Sequence, residues 1–253
     1  MNFESVLAHH LVDHKLFHFM VGPLDLGLSP LIITMWVSAL VATVTLSFAA
    51  RSRSSAARLT RGMIEPVALF VRDDILEPLF GHHANFYLPY FLTLFFFLLT
   101  CNLIGLVPYA KGVTANIAVT ASMALCTLFL IQFAGVKEQG LVSYITHIVP
   151  SGVPWWLWPV LFVIEVFGMF AKCISLCIRL FANMLAGHIV SLSFLFLIFI
   201  FAQMNKAMGF GVSPAAVGLA LFIYLMDVLV SFLQAYIFTF LTALFVGGAV
   251  HPH

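Results

Sequence analysis

Two apolar stretches in the second half of the chain limit its possible folds more than any other feature. Pro159 to Met204 and Pro214 to Val246 run for about 45 and 33 residues with few interruptions. As continuous helix they measure roughly 68 and 50 Å, against a hydrocarbon core of about 30 Å. Each must fold either as a hairpin of short spans or as one long, steeply inclined helix. A hairpin needs turn chemistry at its centre, and neither stretch has a proline, an Asn-Gly pair or a polar cluster there; Gly187 alone is a weak breaker. Two long tilted helices are therefore expected, and such helices usually need a partner or an unusual job to hold the tilt.

The rest of the composition agrees with a membrane solvent. Of the 253 residues, 62% are hydrophobic and 8% charged, with a mean hydropathy of +1.09. A soluble chain carries roughly 25% charged residues, about three times as many. The formal charge of +1 leaves no basic excess for nucleic acid. Cys101, Cys126, Cys173 and Cys177 all fall inside apolar runs, so they read as small buried hydrophobes and not as a disulfide framework or zinc site.

Three shorter spans precede the long ones, at about 29–50, 88–107 and 113–134. The fold class expected is an all-α integral membrane protein with about five transmembrane helices, forming a single membrane domain over 29–253. Between the first two spans, residues 62–84 mix Ile64, Val67, Phe70, Val71, Leu79 and Phe80 with Glu65, Arg72, Asp73, Asp74 and Glu77. That pattern predicts an amphipathic helix on the membrane surface. With five spans, Arg51, Arg53, Arg58, Arg61, Arg72 and Lys137 collect on one side, and Lys15, Lys111 and a loop Lys206 on the other. The basic side faces inward, which puts residues 1–28 outside and the C-terminus inside. Residues 1–28 have no basic leader followed by an apolar stretch, so they are expected to stay on the mature protein.

Between Pro159 and Val250 the formal charges are Glu165, Lys172, Arg179, Lys206 and Asp227. A charge at the centre of a span costs about 3 kcal/mol on insertion scales, so such groups line water or face partners. At 100° per residue, Glu165, Lys172 and Arg179 lie within about 40° of one another, with Ser175 and Asn183 on the same stripe. His188, nine residues past Arg179, is about 13.5 Å farther along and turned about 180° away. Asp227 and Gln234 are seven apart on the last helix, hence on one face, with Ser231 between them. If the two helices run antiparallel with His188 level with Asp227, Arg179 falls nearly level with Gln234. An outer histidine–carboxylate rung suited to passing protons near neutral pH then stands above an inner rung holding a permanent cation. Glu165 and Ser175 lie toward the inside and Arg179 interrupts the path, raising the energy of any proton crossing directly. Lys172 either supports the inner face or snorkels to the interface.

Other chemistries find less support. An intramembrane enzyme using His188 and Asp227 would want a nucleophile or metal set, and HExxH, GxSxG and paired-Asp motifs are absent. A self-contained transporter would show internal repeats and broken helices, and neither is visible. His10, His14 and His18 are spaced to share a helix face, but no acid or cysteine completes a metal set, and a surface face is the better reading.

The segments 178-IRLFANMLAGH-188 and 225-LMDVLVSFLQAYIFTFL-241, with weaker agreement at 102-NLIGLVP-108 and 115-ANIAVT-120, resemble subunit a of the F-type rotary ATP synthases. The likeness covers nearly the whole chain. It implies a stator proton-channel subunit of the membrane Fo sector, not an enzyme by itself and without a cofactor. The implied partners are a c-subunit ring, b-type subunits of the peripheral stalk, other ATP synthase subunits and lipid. Arg179 would be the stator arginine engaging ring carboxylates and Glu165 the inner-channel acid, with Asn183, His188, Asp227 and Gln234 in the outer channel. Protons would enter past His188 and Asp227, ride the ring and leave past Glu165. Cys177 departs from the family pattern, where a smaller residue is usual. The location expected is a bacterial plasma membrane, with the mitochondrial inner membrane as the alternative.

Overall fold

The computed structural model describes residues 20–21, 24–25, 29–51, 54–107, 112–140, 154, 156–204 and 206–250. Met20–Val21 (β1) and Leu24–Asp25 (β2) pair antiparallel, Met20 opposite Asp25 and Val21 opposite Leu24. Among the described residues this two-rung ladder is the sole departure from an all-helical chain. The helices are α1 (Pro30–Arg51), α2 (Ser55–Phe70), α3 (Glu77–Phe80), α4 (Ala84–Gly105), α5 (Ile117–Gln139), α6 (Trp158–Met204) and α7 (Lys206–Val250). A π-helical turn at Val71–Leu76 joins α2 to α3, and short 3-10 turns occupy Gly81–His83 and Val113–Ala115.

Five of these helices, α1, α4, α5, α6 and α7, are long and apolar enough to cross a membrane. The two long stretches are continuous helices of 47 and 45 residues, not hairpins. Lys206, expected in a loop, is instead the first residue of α7, and Pro214 lies inside that helix. A proline two turns from a helix start removes one backbone bond without ending the helix when neighbouring turns hold it. Likewise α4 begins at Ala84, ahead of Leu88, and carries Pro89 in its second turn.

Helix ends are closed by local chemistry. Ser54 caps α2, its hydroxyl oxygen accepting from the Ala57 N–H at 3.2 Å. Arg61 reaches back to the end of α1, donating to the carbonyls of Ala49 at 2.9 Å and Ala50 at 3.1 Å. A cation on the last carbonyls of a helix satisfies orphan acceptors and complements the dipole. The segment from Val71 to Phe80 buries Val71, Ile75, Leu76 and Phe80 and exposes Arg72, Asp73 and Asp74; Arg72 Nε and Asp73 Oδ1 pair at 2.7 Å.

The chain divides into two compact units. One comprises Met1–Val44, Phe97–Asn116 and Leu180–Gln234; the other comprises Thr45–Phe96, Ile117–Arg179 and Ala235–His253. In the first, Leu98, Cys101, Asn102, Thr114, Leu180 and Ser231 are buried. In the second, the core is aromatic: Phe80, Phe91 and Phe95 are fully buried, with the Phe80 ring 4.6 Å from that of Tyr87 and 5.9 Å from that of Phe91. Its C-terminal helix end is held by Gln139, whose Nε2 donates to the Ala249 carbonyl at 2.6 Å.

Candidate functional site

The polar residues singled out from the sequence fall into both units, and each group has its own geometry. In the first unit, α6 carries Asn183 and His188 and α7 carries Asp227 and Gln234. The Asp227 carboxylate lies hard against the backbone of α6 at Gly187. A methyl built on Gly187 would come within 2.7 Å of both carboxylate oxygens. Asp227 is therefore level with the residue next to His188. The imidazole is placed by a second glycine: a methyl on Gly112, just before the 3-10 turn, would stand 2.9 Å from His188 Nε2. Asn183, His188 and Asp227 are half-buried, and Gln234 is 9% exposed.

A buried bracket joins the elements around this group. Asn102 Nδ2 donates to the Ser231 carbonyl at 3.2 Å, and the Thr114 hydroxyl donates to Asn102 Oδ1 at 2.9 Å. All three residues are fully buried. One amide thus ties α4 to the 3-10 turn and to α7, one helical turn from Asp227. In the sequence, Asn102 stands within a motif without a role of its own, and Thr114 does not stand out. A lone buried asparagine in an apolar helix is the available signal, since such a group must find partners.

In the second unit, α6 carries Glu165, Lys172, Ser175 and Arg179, all exposed on the chain. Glu165 and Lys172 line a cavity of about 390 Å³ together with Thr127, Gln139, Cys173 and Phe245. Lys172 Nζ lies 5.3 Å from the centre of the Phe245 ring, within cation–π range. Nothing in the sequence marks Gln139; at the end of α5 it both lines this cavity and holds the end of α7.

Arg179 and Ser175 are instead exposed on a stretch of α6 whose exposed side chains also include Ile174 and Ile178. Among the described residues of its own unit, no carboxylate pairs with Arg179. Cys177, on the opposite side of the same turn, is buried with its sulfur 3.4 Å from the Thr120 hydroxyl. The thiol therefore packs against α5, which accounts for a residue larger than alanine at that position.

Among the described residues no cluster of three His, Cys, Asp or Glu could hold a metal ion. His10, His14 and His18 lie outside the described residues.

Comparisons with known proteins place this chain in a family. The pattern of the family described as ATP synthase A chain matches residues 32–247. ATP synthase subunit a 2 of Chlorobaculum tepidum is 37% identical over 97% of this chain and 72% of its own length. ATP synthase subunit a of Chloroherpeton thalassium is 37% identical over 96% of this chain and 75% of its own length. That of Myxococcus xanthus is 40% identical over 92% of this chain and 77% of its own length. The match runs from within α1 to within the last turn of α7 and takes in Asn102, Glu165, Lys172, Ser175, Arg179, Asn183, His188, Asp227, Ser231 and Gln234, so the chain belongs to the ATP synthase A chain family.

Proposed function

We propose that this chain is the stator of a proton-driven rotary ATP synthase, carrying protons to and from a ring of c subunits through two offset half-channels. The observation that carries the reading is Arg179: a permanent cation exposed on an apolar helix long enough to span the membrane. A charge so placed is stable only against water or a carboxylate supplied by another molecule, and the glutamate or aspartate of a ring subunit fits that need. The outer half-channel uses His188, Asp227, Asn183 and Gln234; the inner one uses Glu165 and Ser175, with Lys172 supporting its mouth. The cavity holding Glu165 and Lys172 is room for water on the inner path.

In this mechanism the protein does no chemistry on a substrate. A proton taken up past His188 and Asp227 neutralises a ring carboxylate, which then enters lipid; on return the carboxyl meets Arg179, ionises and releases its proton past Glu165. Arg179 keeps its own proton, so it blocks the direct route and favours the ionised ring carboxylate. The long helices α6 and α7 lie inclined along the flank of the ring. The remaining partners are b-type stalk subunits and the other ATP synthase subunits, and the bacterial relatives favour a plasma membrane.

The test is Arg179→Ala in the assembled complex in inverted membrane vesicles. ATP-driven acidification is expected to disappear while subunit content stays normal, and passive proton leak is expected to rise. Normal acidification overturns the proposal, and lost assembly without added leak assigns Arg179 to structure.

A further inference from the structure

Hydroxyl groups on the spanning helices of this chain have a common solution to burial. Ser38 donates to the Thr34 carbonyl at 2.8 Å, Thr127 to Met123 at 3.2 Å and Thr239 to Ala235 at 2.8 Å, each to the carbonyl four residues back. Ser231 on α7 does not follow them. It is wholly buried, its carbonyl accepts from Asn102, and its hydroxyl oxygen has no hydrogen-bond partner within the protein. The carbonyl it would ordinarily use is that of Asp227. Thr242 has a similarly unpartnered hydroxyl, but its own helix offers no ionisable side chain within a turn of it.

We propose that the Ser231 hydroxyl is a proton relay that links Asp227 to Gln234 through bound water. Spacing supports the assignment: Ser231 is four residues after Asp227 and three before Gln234, about 6 Å and 4.5 Å along the axis, so the three lie on one helix face. A hydroxyl can donate one hydrogen bond and accept two, so it passes charge without carrying any. As a proton arrives at Oγ from water on the Asp227 side, a new O–H bond forms. The proton Oγ held leaves to water on the Gln234 side, and the serine ends neutral. A buried hydroxyl needs partners, and water fits a site already polar with the Asn102 amide and the Thr114 hydroxyl. The bracket holds this turn of α7 in place, so the relay is fixed relative to Asp227.

The inference rests on the proton-channel reading, and its test separates the two. Ser231→Ala and Ser231→Thr are placed in the complete complex, with Arg179→Ala measured beside them in the same inverted vesicles. Removing an unpartnered hydroxyl leaves packing nearly unchanged, so Ser231→Ala is expected to assemble at normal subunit content. Its passive proton flux after removal of the catalytic head, and its ATP-driven acidification, are expected to fall about tenfold, with a changed solvent deuterium isotope effect. Ser231→Thr, which keeps the hydroxyl, is expected to recover most of the flux. Normal flux in Ser231→Ala overturns the relay while loss of pumping in Arg179→Ala leaves the channel reading standing. Normal pumping in Arg179→Ala removes the channel reading itself. Failure of both serine variants to assemble makes Ser231 a packing residue and equally overturns the relay.

Discussion

Gly187 shows how much a single missing methyl can decide. In the sequence it is a weak helix breaker inside a long apolar run. In the structure α6 passes through it unbroken, and its bare Cα is what lets the Asp227 carboxylate lie against the helix. Gly187→Ala would place a carbon 2.7 Å from both carboxylate oxygens, closer than real contacts allow, so the carboxylate must move. On the proposed channel reading, ATP-driven acidification in that variant is expected to drop by about tenfold or more, as when a proton-transfer group is displaced. Gly218 on α7 has open space around it, with nothing within 4 Å of where an added methyl would stand, so Gly218→Ala serves as the control and should pump normally. Equal loss in both variants would show that helix propensity and not carboxylate placement is at issue. The charged and amide residues of the site were legible in the sequence because a charge in hydrocarbon is conspicuous; a glycine's job there is not, because it depends on which side chain another helix brings near.

At the level of elements, length and hydropathy announced the spans, and the absence of turn residues announced that the last two helices are unbroken. The π turn was not announced. In uninterrupted α-helix, nine residues from Val71 to Phe80 rotate by about 900°, which leaves the two side chains on opposite faces. The wider turn, with the Glu77 N–H bonded to the Arg72 carbonyl, lessens that rotation, and both side chains are buried. Periodicity assumes one helical repeat and cannot register a local change in it. The Asn102 bracket is also beyond sequence, since its partners come from residues 12 and 129 positions away. Asn102→Leu would take away the buried acceptor of the Thr114 hydroxyl and the second hydrogen bond to the Ser231 carbonyl. A loss of about 1–3 kcal/mol is expected, read as a lower thermal midpoint for the assembled complex; an unchanged midpoint would mean the bracket is energetically idle.

For the whole molecule, five spans with the basic loops inside make a claim that labelling can check. In a chain whose four cysteines are replaced, a cysteine at Arg58 should react with a membrane-impermeant maleimide only in inverted vesicles. One at Val107, exposed just past the end of α4, should react only in right-side-out vesicles. Reaction of both from the same side would undo the span count.

The exposed setting of Arg179 also bears on biogenesis. If Arg179 meets a partner's carboxylate as proposed, a newly inserted copy without that partner holds a guanidinium in the bilayer, which must thin or admit water to hydrate it. Until that carboxylate arrives, the charge stays costly to hold in the bilayer. On the proposed reading, the residue that blocks direct proton passage is also the one that makes this subunit costly to hold in the membrane without its partner.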